Sequence, residues 1–185
     1  MMDWHAVLNI LHLLGVAVGA GGAFVSDAMF FSSVRDEKIS TTEMRFLTMG
    51  SAAVWVGLAL LFLSGLGLVW MDPAHTLGSE KFWAKMTVVV IIFANGLFFR
   101  RFHIPRLARH VGEHFPSSDE FIRRVPLLLA SGAVSAVSWV SAIVLGALRG
   151  VPYGYGTIMG AYLAFVFLGV VLVLVFRKRF IAHLR

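Results

Sequence analysis

The sequence predicts an all-α polytopic membrane protein, a single integral domain built as a bundle of five transmembrane helices. Three observations predict it. Of the 185 residues, 58% are hydrophobic and 14% charged, whereas a soluble domain usually carries about a quarter charged residues. The apolar residues gather in five long blocks, and a hydrocarbon core of about 30 Å takes roughly 20 apolar residues as helix. The charges sit in the short segments between blocks. That placement orients a membrane protein and is not the basic face that meets nucleic acid.

The blocks place helices at about 6–30, 46–70, 82–100, 126–148 and 156–176, and no segment between them reads as a soluble domain. The start, Met1-Met2-Asp3-Trp4-His5, lacks the positive region of a cleaved signal, so the first block is expected to be retained as a helix. The first connection holds Arg35, Lys38 and Arg45. The third holds Arg100, Arg101, Arg106, Arg109, Arg123 and Arg124, and the tail holds Arg177, Lys178, Arg179 and Arg185. Of the 16 lysines and arginines, only Lys81, Lys85 and Arg149 fall elsewhere. The positive-inside rule therefore puts the crowded side in the cytoplasm. With five spans, the amino terminus is expected outside and the carboxyl terminus inside, in a bacterial cytoplasmic (inner) membrane. Trp4, Trp70, Trp83 and Tyr153 then lie near the outer boundary, where amphipathic rings are favoured. The third connection, 101–125, is punctuated by Pro105 and Pro116 and carries Phe102, Ile104, Leu107 and Val111 on an apolar side. It is expected to extend the third span and lie on anionic headgroups.

There is no cysteine, which excludes disulfides, thiolate metal sites and cysteine nucleophiles. Chemistry must come from the few polar residues inside the blocks. Helix one carries His12, Gly15, Gly19, Gly22, Ala23 and Ser26 near one face. Glycines there admit close approach by a neighbouring helix or by a flat ligand such as a porphyrin. His12 lies about two turns inside the boundary at 1.5 Å per residue. Ionisable groups at such depth are rare and face the interior, as a hydrogen-bonded structural histidine or as a ligand. Lys85 lies at similar depth and either snorkels to water or shares a pocket with His12. Asp27 is about 22 Å further along helix one, too far to join them, and is expected to pair with Arg35, Arg100 or Arg101. Asn95 is expected to bond between helices, and Ser131, Ser135 and Ser138 to form a packing seam.

Two other metal readings exist. Asp3, His5, Met71, Asp72 and His75 share the outer rim and include ligand types that suit copper, without a tight spacing. His103, His110, His114 and His183 are expected on the cytoplasmic side; His110 and His114 are four residues apart, a spacing that can bind a metal if helical, but without further ligands they are expected on a solvated surface. His5 and His12 are about 10 Å apart along the axis, too far to hold one ion. That leaves His12 as the one strong axial candidate for a haem, with Lys85 as a second ligand or propionate partner.

Leu11-His12 with its glycine-rich run, together with Trp83-x-Lys85 opening the third span, resembles the HemJ-type protoporphyrinogen oxidases and the related CopD-like copper-resistance membrane domains. The resemblance covers about 5–31 and 81–100. It implies a b-type haem and porphyrinogen oxidation, with His12 as iron ligand, Lys85 as catalytic residue, and Gly15, Gly19 and Gly22 beside the cofactor. The HemJ type is usually read with four helices, where five are expected here. The leading expectation is thus a haem- or porphyrin-binding membrane oxidoreductase with a porphyrin or quinone-like partner. The alternatives are a CopD-like copper or small-solute carrier, and a non-catalytic subunit of a larger membrane complex or homo-oligomer.

Overall fold

The computed structural model describes residues 2–35, 40–109, 111–112, 119–148 and 150–182, and among these the side chains of all but 31–35, 119–125 and 177–182. Lys38, His110, His114, Pro116, Arg149, His183 and Arg185 lie outside the described residues, as do the side chains of Arg35, Arg123, Arg124, Arg177, Lys178 and Arg179. The chain forms α1 (Trp4–Arg35), α2 (Thr41–Met71), the short α3 (Pro73–Leu77), α4 (Glu80–Phe98), a π-helical turn (Phe99–His103), α5 (Ile104–Arg109), α6 (Asp119–Ala147) and α7 (Tyr155–Ala182). Among the described residues, five stretches are long and apolar enough to cross a membrane: Trp4–Phe30, Thr41–Met71, Glu80–Arg109, Pro126–Ala147 and Tyr155–Phe176. The shortest has 22 residues, about 33 Å of helix, enough for a hydrocarbon core.

Capping explains several helix starts. Asp3 accepts from the His5 and Ala6 amides. Ser40 and Glu43 form a reciprocal capping box at α2, which satisfies two orphan amides at once. Asp72 caps α3 by accepting from the His75 amide, and Ser79 caps α4 by accepting from Phe82. Helices α4 and α6 run beyond the expected ends. The third span continues through the π-helical turn into α5, as the apolar side of 101–111 leads one to expect. Helix α6 begins at Asp119 and passes through Pro126 without interruption.

The bundle has two parts. Helices α1 and α2 form the most intimate pair, while α4, α6 and α7 pack on one another, and α4 meets α2 only sparsely. The α1–α2 seam is made of glycine. A Cβ on Gly57 would stand 2.5 Å from the Gly19 backbone, and one on Gly22 would stand 2.8 Å from the Gly50 carbonyl. The two backbones therefore touch, the close crossing that small residues permit in lipid. Trp139 of α6 is 1% exposed and lays its indole edge against Gly19, locking the second part onto the first. The apolar core around it includes Ala20, Leu58, Val88, Ile92 and Tyr162. Large apolar side chains such as Phe62, Leu63, Phe165 and Phe167 are over 60% exposed, the outward face of a protein whose solvent is lipid.

The ends of α4, α6 and α7 nearest α3 are tied by charge. The Lys81 ammonium donates to the Leu148 carbonyl at the end of α6, and the Glu80 carboxylate accepts the Tyr155 amide that opens α7. Each charge meets the helix terminus of complementary sign. Thr87 Oγ1 and Tyr155 Oη, 3.1 Å apart, add a further link.

Candidate functional site

His12 is half-buried on α1. Its Nδ1 lies 3.0 Å from Ser64 Oγ of α2. Ser64 is 2% exposed, and its hydroxyl donates to the Leu60 carbonyl at 2.5 Å. A serine hydroxyl has a single proton, and here it is spent on Leu60. With that proton directed to Leu60, Ser64 accepts from the Nδ1–H tautomer of His12, in which Nε2 carries the lone pair. A ring nitrogen held by a hydrogen bond while the other is free is the arrangement that orients a histidine ligand. Gly65 faces the ring: His12 Cε1 lies 3.7 Å from where a Cβ at 65 would stand, an ordinary van der Waals distance.

Lys85 lies on α4 beside the buried Ala84 and Val88 and is itself half-buried. Helix α4, which carries Lys85, meets the α1–α2 pair only sparsely. Ser64 and Gly65 were not among the residues singled out from sequence. Their only signal is a small polar pair inside an apolar run, Leu61-Phe62-Leu63-Ser64-Gly65.

The glycine face of α1 is otherwise occupied. Gly15 abuts the Gly57 carbonyl and the Leu61 amide, Gly22 abuts Gly50 and Ala53, and Gly19 abuts Trp139. Protein fills the space over these three glycines, so they serve helix packing in this arrangement. A porphyrin held by His12 would have to be received on the Lys85 side instead.

The remaining polar residues divide. Asn95 bridges α4 and α6 as expected, donating to the Ser131 carbonyl at 3.1 Å and accepting from Ser131 Oγ at 2.8 Å. Ser138 meets Tyr162 Oη at 2.9 Å, so the serine seam joins α4, α6 and α7. Of the partners expected for Asp27, Arg100 and Arg101 are exposed and the Arg35 side chain lies outside the described residues; Asp27 Oδ2 is shielded and has no hydrogen-bond partner among the described residues. His103 is 1% exposed, sits in the π-helical turn against the rings of Phe98 and Phe99, and leaves Nε2 without a partner among the described residues. The rim residues named for copper are partly committed elsewhere, since Asp3 and Asp72 are helix caps and His5 Nδ1 pairs with Asn9 at 3.0 Å. Among the described residues, no three histidines or carboxylates gather as a metal site.

Compared with models of protein families, with curated proteins and with solved structures, the chain gives no match.

Proposed function

We propose that this membrane protein is a haem- or porphyrin-binding redox protein whose site is built on His12 and Lys85. The observation that carries the reading is the state of His12. Ser64 fixes its ring through Nδ1, and the bare Nε2 is the donor a haem iron takes as axial ligand. Imidazole is a general metal donor, so it is the resemblance to the HemJ type that selects haem over other metals. The residues present fit such a group in part: the axial donor fits, but the glycine face is closed by α2 and Trp139.

In this reading, Ser64 sets the orientation and basicity of His12, and Lys85 places a cation beside the site. A cation there suits a propionate or the negative charge that develops when a bound substrate loses a proton. The haem, when bound, supplies one-electron chemistry. The crowded basic side faces the cytoplasm by the positive-inside rule, which puts the site in the outer half of an inner-membrane protein. An exchangeable porphyrin or quinone would be the electron-transfer partner.

The test is to purify the protein in mild detergent, supply haem or copper separately, and measure what stays bound. A Soret band that co-elutes with folded protein is the expected result. Stoichiometric copper with no retained haem would replace this reading by the CopD-like carrier. Retention of neither would leave a packing subunit.

A further inference from the structure

The half of the bundle remote from His12 contains a second polar site. A cavity of about 50 Å³ lies among α1, α2, α4 and α6. Its polar lining is Ser26, Asp27, Ser51, Asn95, Ser131 and Ser135. A cavity needs roughly 10–15 Å³ to hold one water-sized particle, so this one has room for more than one. Asn95 and Ser131 are spent on each other. Ser26 is 7% exposed, and its Oγ, like Asp27 Oδ2, is buried with no hydrogen-bond partner. The cavity is therefore bordered by a carboxyl with an unsatisfied oxygen, while the Ser26 hydroxyl lies against Gly50 of α2.

Among the described residues, no cationic side chain lines it. On α1 the described titratable group facing the cavity is Asp27 itself, and the Arg35 side chain lies outside the described residues. On α2 the nearest described cation in sequence is Arg45, six residues before Ser51 and exposed. On α4 and the π-helical turn, Arg100 and Arg101 are exposed and His103 is packed against phenylalanines. The α6 residues that line the cavity carry no titratable group. A carboxylate buried without a counter-charge is strongly disfavoured, and an intramembrane acid in such a place marks an ion or proton site.

We propose that Asp27 carries one monovalent positive charge inside the bundle: a proton on its own carboxyl, or a sodium-sized cation shared with the Ser51 and Ser135 hydroxyls that line the same cavity. The oxygen-only donor set suits a hard cation. One carboxylate matches one charge, so a divalent ion would leave an unbalanced positive charge in low dielectric. Asp27 lies about 22 Å from His12 along α1, so this site stands or falls independently of the haem reading.

Infrared spectroscopy of the full protein in lipid tests it. At pH 6 an ordinary aspartate, with a pKa near 3.9, is ionised. In choline buffer at pH 6 the wild type should show the C=O stretch of a protonated carboxyl. The band should shift on 13C labelling of aspartate side chains and be missing from Asp27→Asn. Adding sodium chloride at constant pH then separates the two sources. Loss of the band means that a sodium-sized ion replaces the proton, and persistence means that the site carries a proton alone. The labelling arm needs only the wild type, so poor folding of the variant does not spoil the test. A wild type without an aspartate-dependent protonated band in choline buffer overturns the proposal.

Discussion

At the scale of single residues, the hydroxyl proton of Ser64 decides the chemistry available to His12. Because that proton goes to Leu60, the histidine presents Nε2 as a base and a ligand. Ser64→Ala removes the acceptor at Nδ1, frees the ring to rotate, and is predicted to weaken haem binding by about 10- to 100-fold, the usual cost of losing a partner behind a metal ligand. A haem titration of the variant measures it; unchanged affinity would mean that the hydrogen bond does not orient the ligand. Lys85→Met keeps the packing stem but removes the charge. It is predicted to retain the Soret band while slowing reduction of the haem, and equal reduction rates in stopped-flow spectra would remove Lys85 from the site. His12 and Lys85 were legible in the sequence because charge or a titratable ring inside an apolar block is conspicuous. Ser64 was not, since a serine in a membrane helix has no distinguishing pattern until its neighbour is known. The burial of His103 was not read from the sequence, where its signal is the flanking Phe98, Phe99 and Phe102.

At the scale of helices, Gly15, Gly19 and Gly22 of α1 belong to packing. A leucine at position 19 would meet the Trp139 indole, which a single Cβ there already overlaps. Gly19→Leu is therefore predicted to lower the yield and melting temperature of folded protein while leaving the haem carried per folded molecule unchanged, as size-exclusion chromatography with absorbance at two wavelengths can show. The smaller Gly19→Ala should also destabilise, and Trp139→Phe should partly relieve it. That coupling exists only if the two residues touch, so strictly additive effects would argue against the contact. The Asn95–Ser131 bridge is predicted to contribute about 0.6 kcal/mol, the average for hydrogen bonds measured between helices in lipid. The helical spans themselves were legible from apolar block length, which is the strongest constraint a bilayer imposes. Which helices pair was not, because a glycine face fits an α-helix and a flat ligand equally well. Only the position of Gly50 and Gly57 opposite Gly22, Gly19 and Gly15 separates the two.

At the scale of the whole molecule, two polar sites lie in opposite halves of one bundle. One is the His12–Ser64–Lys85 group, the other the cavity at Asp27. Between them stands the dry layer of Gly19, Trp139, Leu58 and Val88. The bias of basic residues predicts that a reporter fused after Arg185 is cytoplasmic, and an exported reporter would invert the assignment of both sites. The central claim is that His12 ligates a haem through Nε2. The measurement that tests it most directly is the ratio of Soret absorbance to folded protein in the wild type, in His12→Ala and in the control His5→Ala, all supplied with haem. The account predicts that the ratio is high in the wild type and in His5→Ala and falls to background in His12→Ala, with the helical signal of all three alike. A His12→Ala protein that keeps both the ratio and the spectrum would contradict it.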